Sequence, residues 1–200
     1  MLPDSGFIHT VQHGKRTQKT ADKFISNIKA HSDGEAPLFL SDGWSSYEEI
    51  LEKYYGHDES LKYAQIIKHK TNGRLTQIET RILRGDEQEI LDIIQAGGRA
   101  HTINTSYVES RNGNYRKDNK RLTRRTQCHS KKVKLHDAHI DWITAVYNFV
   151  NPNQAWRECI NPRAQRFETK YQQQSPAMIE GLLDRMPTME ELLMMKFPSS

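Results

Sequence analysis

The sequence predicts an α/β fold, a sheet flanked by helices, and three observations carry that prediction. Ala21, Phe24, Ile25 and Ile28 recur with the period of one helix face. Leu38, Phe39 and Leu40 form a short run of large apolar residues that reads as a buried strand. Ser45-Ser46-Tyr47-Glu48-Glu49 then offers two overlapping capping boxes at the head of a further helix. With an extended apolar segment ahead of them, the order is strand, helix, strand, helix.

Taken in order, Pro3-Asp4-Ser5-Gly6 has turn chemistry, and Phe7, Ile8 and Val11 after it suit a strand. Only Met1 and Leu2 precede that turn, so the chain is expected to start inside a fold. A helix follows from Thr17 and is broken over residues 32–37, before the Leu38–Leu40 strand and Asp42. The next helix runs through Tyr54. Tyr63–Lys68 and Leu75–Leu83 read as strands around a turn at Thr71-Asn72-Gly73, and Asp86–Gln95 as a helix ending at Gly97-Gly98. Another helix starts near Thr105. Asp137 is expected to cap a helix that buries Ile140, Ile143, Val146 and Tyr147 and stops at Asn151-Pro152. In the tail, Ser175 and Thr188 are expected to cap two short helices, with Pro176 at a first helical position. Their stripes, Met178, Ile179 and Leu182, then Met189, Leu192 and Leu193, are expected to dock on the domain. Residues 1–150 therefore read as one α/β region and residues 151–200 as a helical tail.

With 200 residues, 36% of them hydrophobic and 27% charged, the chain can bury a modest core. No apolar stretch approaches a membrane span and no signal-peptide pattern opens the chain. Cys128 and Cys159 form no CxxC pair, in keeping with a reduced, cytoplasmic protein. The charge is segregated. Between Arg111 and Lys134 lie ten Lys/Arg against one acid, Asp118, a net of +9. The rest of the chain holds 19 basic and 24 acidic residues, a net of −5. A positive field this concentrated points to a polyanion, above all nucleic acid, with a solvated basic face as the bland alternative. The candidate phosphate contacts are Arg111, Arg116, Lys117, Lys120, Arg121, Arg124, Arg125, Lys131 and Lys132.

Two acids stand out. Asp42 ends a predicted strand, where α/β sheets collect functional groups, and a carboxylate there can bind a hard divalent cation. Asp42-Gly43 is equally a turn dipeptide. Glu109 fits a capping box with Ser106, yet Asn112 and Arg116 follow it on the same helix face. A carboxylate, an amide and a cation in one row, leading into a basic helix, suit a site beside a bound phosphate. His136, Asp137 and His139, with Cys128-His129 upstream, match no standard zinc spacing. Trp44 and Trp156 are expected to pack rather than stack on bases.

The blocks "LFLSDGWSSYEEIL", "INTSYVESRNGNYRKDNKRLTRRTQCHSK", "AVYNFVNP" and "QSPAMIEGLLDRMPTMEELL" resemble, in order, those of bacterial and archaeal insertion-sequence transposases. The closest branch is the small-element, InsB-like group of the DDE superfamily. The resemblance implies a ribonuclease H-like mixed sheet and a two-metal site holding Mg²⁺ or Mn²⁺. It implies cleavage of DNA at the transposon end by water, then attack of the freed 3′-hydroxyl on target DNA. Asp42 matches the second metal-binding acid, Glu109 the third, and Asn112 the asparagine that follows. The family's first Asp lies on a strand that would fall upstream of Met1, so the resemblance implies a sheet lacking its first strand and an exposed sheet edge. Asp4 belongs in the later turn and is not its substitute. The DNA-binding module usual ahead of the catalytic region would also be missing. The implied partners are transposon ends and target DNA, with a homo-oligomer assembled on them, no membrane and no small-molecule substrate. The implied setting is the nucleoid. A non-catalytic DNA-binding remnant and a metal-dependent nuclease of the same fold are the rival expectations.

Overall fold

The computed structural model describes residues 1–2, 5–32, 36–96, 102–123, 125–152 and 157–195. Pro3, Asp4, the Gly97-Gly98 helix end, Arg124 and Trp156 lie outside the described residues. The chain divides into two compact units, residues 9–113 and residues 1–8 with 114–200. The division falls inside a helix and not at residue 150, because the C-terminal helices pack on the long helix that precedes them.

The first unit is a mixed α/β layer. Helix α1 (Gln18–Ala30) starts at Thr17, whose hydroxyl accepts from the Thr20 N–H. Strand β1 (Leu38–Asp42) runs parallel to β2 (Lys62–Thr71), in a register that sets Leu38 opposite Lys62 and Asp42 opposite Ile66. Helix α2 (Ser46–Tyr55) makes the crossover that parallel strands require. Strand β3 (Arg74–Arg84) returns antiparallel to β2, giving the order β1-β2-β3. Between Thr71 and Arg74, Asn72 (φ 51°) and Gly73 (φ 78°) both take left-handed conformations. That pair makes a two-residue hairpin whose twist matches the strands. Helix α3 (Glu87–Ala96) begins where Asp86 Oδ1 accepts from the Gln88 N–H at 2.8 Å.

Strand alternation gives this sheet two cores. Phe39, Tyr63 and Leu83 meet Ala21, Ile25, Ile50, Leu51 and Tyr55 of the first two helices. Leu38, Leu40, Ala64, Ile66 and Ile82 meet Ile90 and Ile94 of α3, with Ile103. Both cores are built from the apolar spacings visible in the sequence. The capping boxes at Ser45 and Ser46 do not form. Ser45 is itself in helical conformation with no side-chain cap bond, and Glu49 instead accepts from Gln18 Nε2 at 2.9 Å.

The second unit centres on α5 (Val133–Phe149). Lys132 is its N-cap, so Asp137 lies inside the helix and does not cap it. The buried stripe is Ile140, Thr144 and Asn148, while Ile143, Val146 and Tyr147 are half-buried. The strand expected over residues 7–11 does not form, because a side chain takes the place of a neighbouring strand. The Ile8 N–H donates to Asn148 Oδ1 at 2.9 Å, and Asn148 Nδ2 donates to the Ile8 carbonyl at 3.0 Å. Phe7 meets Phe149 edge-on at 6.2 Å. The Leu2 N–H donates to the Phe7 carbonyl at 2.8 Å and the Gly6 N–H to the Leu2 carbonyl at 2.9 Å, while the turn expected at Pro3-Asp4 lies outside the described residues. A two-residue pair, β4 (Glu158–Cys159) with β5 (Tyr171–Gln172), precedes α6 (Pro176–Ile179) and α7 (Met189–Met194). Ser175 caps α6 and Thr188 forms a complete capping box with Glu191. Both short helices contact α5. Their buried residues are Pro176, Ala177 and Leu192, whereas Leu182, Met189 and Leu193 stay exposed.

Candidate functional site

The β1–β2 register decides what stands next to Asp42. Residues paired in a parallel ladder point to the same face, and alternate residues of one strand share that face. Ile66 and Lys68 therefore lie on the α3 face at the C-terminal end of the parallel pair, where Asp42 is the residue opposite Ile66. Glu109, in the first turn of α4 (Ser106–Asp118), accepts from Lys68 Nζ and from Thr105 Oγ1 (3.2 Å). Asp42 thus ends β1 at the C-terminal end of the parallel pair, and Lys68 ties Glu109 to the same end of β2.

Each carboxylate has a cationic partner. Arg16 Nη2 donates to Asp42 Oδ2 at 2.7 Å, and the same guanidinium lies over the Trp44 ring, 4.9 Å from its centroid. Trp44 is half-buried edge-on against Tyr47, in keeping with a packing role. The Lys68 hydrogen bond, reinforced by the charges of Lys68 and Lys70, holds the Glu109 carboxyl below its usual range. The Asp42 and Glu109 side chains are each 55% exposed, so these pairs contribute less than about 1 kcal/mol apiece. The turn after Asp42 demands its glycine, since a Cβ on Gly43 would sit 2.8 Å from Ile67 Cγ1. On the opposite face, Ser41 Oγ and Gln65 Nε2 both reach the buried Tyr63 hydroxyl at 2.8 Å, anchoring the strand end. Burial pushes the Tyr63 phenol upward, so it serves as a neutral hydrogen-bonding group.

The capping box expected for Glu109 is replaced by another arrangement. Asn104 Oδ1 accepts from the Ser106 N–H at 3.0 Å, leaving the Glu109 carboxylate to Thr105 and Lys68. Asn112, three residues along α4, is exposed, as are Arg116 and Lys117 in the last turn. Arg111 differs from its neighbours: it is buried, at 7% exposure. The basic window does not continue as a helix. Asn119 (φ −131°) ends α4 and its side chain caps a single 3₁₀ turn, Lys120–Leu122. From Thr123 to Ser130 the described chain is irregular, with Arg125 in a left-handed conformation (φ 57°). Lys120, Arg125, Lys131 and Lys132 are exposed, and exposed Arg121 has its Nη1 3.0 Å from His139 Nδ1.

Among the described residues no group of three or more His, Cys, Asp or Glu is placed to hold a metal ion. The carboxylates of Asp42 and Glu109 suit a hard divalent cation in kind. Reading the sequence missed Arg16, Lys68 and Lys70. Only the strand alternation Ile66-Lys68-Lys70 could have pointed to the lysines, and nothing in the sequence pairs Arg16 with Asp42. Among the described residues no helix is long and apolar enough to cross a membrane. No family model matches the chain, and no curated protein or solved structure is significantly similar to it.

Proposed function

We propose that the chain is a DDE-type insertion-sequence transposase region with a ribonuclease H-like fold, acting on the phosphodiester backbone of DNA. The observation that carries this reading is the position of Asp42 at the C-terminal end of the parallel β1–β2 pair, with Glu109 tied by Lys68 to the same end of β2. The exposed cations from Arg116 to Lys132 support it. In this reading Asp42 and Glu109 would hold Mg²⁺ or Mn²⁺, which would supply activation of the attacking hydroxyl and neutralisation of charge on the phosphate. Arg16 and Lys68 release the two carboxylates on loading, a small cost because both pairs are solvent-exposed. The amide of Asn112 orients the scissile phosphate, and the basic residues after it hold the duplex in register. The active form is a homo-oligomer on paired DNA ends, in the nucleoid.

A second reading, a non-catalytic DNA-binding remnant, is favoured by one observation. Among the described residues no third acid joins Asp42 and Glu109. We therefore expect the 200-residue chain to bind DNA yet cleave and join strands too slowly to detect. Metal-dependent nicking abolished by Asp42→Ala would sink the remnant reading. Cleavage without strand joining would instead indicate a nuclease. Binding of Mn²⁺, measured by calorimetry, tests the site itself. Asp42→Asn and Glu109→Gln should each abolish it, and retention in both variants would end the proposal for these two residues.

A further inference from the structure

We propose that the tip of the β2–β3 hairpin is a second phosphate-gripping surface, which holds duplex DNA beside Glu109 independently of the basic window. Every residue from Lys68 to Ile78 is exposed, so this ribbon stands clear of both cores of its unit. The β2–β3 ladder nonetheless reaches Thr71 opposite Arg74, through a register shift between His69 and Lys70. Its charge is one-signed: Lys68, Lys70 and Arg74 occur with no acid before Glu79. Among the described residues no carboxylate lies within ion-pair distance of Lys70 or Arg74, whereas Lys68 and His69 have such partners.

The direction of these side chains connects the ribbon with the site. Lys68 and Lys70 are alternate residues of β2 and share the face on which Glu109 sits. The Lys70 charge reaches far enough to help hold the Glu109 carboxyl low. Ile78 and Leu75, paired opposite Lys68 and Lys70, are 55% and 52% exposed. They give the same ribbon an apolar contact for sugars. Two strands about 4.8 Å apart are narrower than the roughly 12 Å major groove, so the tip fits between phosphate rows. The inference rests on the proposed action on DNA and adds to it where the backbone runs.

The test uses the intact chain in EDTA, with fluorescence anisotropy of a labelled DNA duplex titrated with salt. Lys70→Ala/Arg74→Ala should weaken binding about tenfold and reduce the slope of log affinity against log salt by roughly 1.8. Lys70→Arg should bind like the unaltered chain. The melting temperature of the double variant should match the unaltered chain, which separates a lost contact from a lost fold. Unchanged affinity and slope in the double variant, while Lys120→Ala/Arg121→Ala/Arg125→Ala loses affinity, overturns this inference and leaves the proposed function standing. No DNA binding by the unaltered chain overturns both. Hairpin-dependent binding of duplex RNA but not DNA overturns the assignment of the partner.

Discussion

The two units are held together by different chemistry. In residues 9–113 the buried set is almost wholly apolar, from Ala21 and Ile25 through Leu51 and Tyr63 to Ile94, with Gln65 and Arg111 as exceptions. Among the described residues of 1–8 and 114–200 the buried apolar side chains are Ile8, Ile140, Pro176, Ala177, Pro187 and Leu192. Beside them lie Ser5, Asn119, Thr144, Asn148 and Ser175, also buried. Thr144 Oγ1 donates to the Ile140 carbonyl at 2.8 Å and also meets the Tyr115 hydroxyl. One unit is specified by area removed from water, the other by polar groups that must find partners.

That contrast can be broken most forcefully in the sheet unit. Leu51→Ala should cost about 2–5 kcal/mol, because Leu51 is 2% exposed inside the α1–α2 core. Chemical denaturation measures it, and a loss below about 1 kcal/mol would mean that this core is loosely packed. The matching lesion in the other unit is Asn148→Ala, which leaves the Ile8 N–H and carbonyl without their partner. It should cost about 1–3 kcal/mol. Asn148→Leu should fare no better, since added apolar volume cannot restore the hydrogen bonds; recovery in that variant would dissolve the distinction between the units.

Smaller effects sharpen the comparison. Thr188→Ala removes the capping box of α7 and should cost about 1 kcal/mol, seen as faster amide exchange in that helix. Glu191 adds a pH dependence. Hydrogen bonding from Arg185 and then from the Thr188 N–H holds its carboxyl down at about 2, against an ordinary 4.5. Because the folded value is depressed, its stabilising effect is complete above 4.5 and is lost as pH falls towards 2. Exchange of the α7 amides should accelerate across that window, and Arg185→Ala should flatten the response. Least of all, Glu109→Gln should leave stability within about 1 kcal/mol, because its ion pair is exposed.

The same contrast explains what could be read in advance. Apolar spacing and short apolar runs predict α1, β1, β2 and α3, while β3, exposed up to Ile78, follows from the turn that precedes it. The Asn72-Gly73 hairpin and the Ser175 and Thr188 caps were equally legible, since turns and caps depend on neighbours in sequence. Of the buried stripe Ile140-Thr144-Asn148 apolar periodicity predicts only Ile140 and adds the half-buried Ile143, Val146 and Tyr147, because it counts apolar side chains and ignores buried hydroxyls and amides. The Phe7–Val11 strand failed for the same reason, its hydrogen bonds going to a side chain 140 residues away. At the candidate site, Asp42 and Glu109 are singled out by residue type and position. Arg16 and Lys68 are not, because an ion pair between distant segments leaves no local pattern.

The Asn148 clamp on Ile8 also sets an order of events during synthesis. The whole of residues 9–113 lies within the loop that this contact closes. The ribosome releases the sheet unit, whose contacts are internal to that stretch, well before Asn148 exists to receive Ile8. Closing the larger loop carries the greater entropic cost, so the first eight residues find their place after most of the chain has been made. Pulse-labelled hydrogen exchange during refolding should show β2–β3 amides protected ahead of the Ile8 amide. Residues 1–8 are among the last of this chain to find their place.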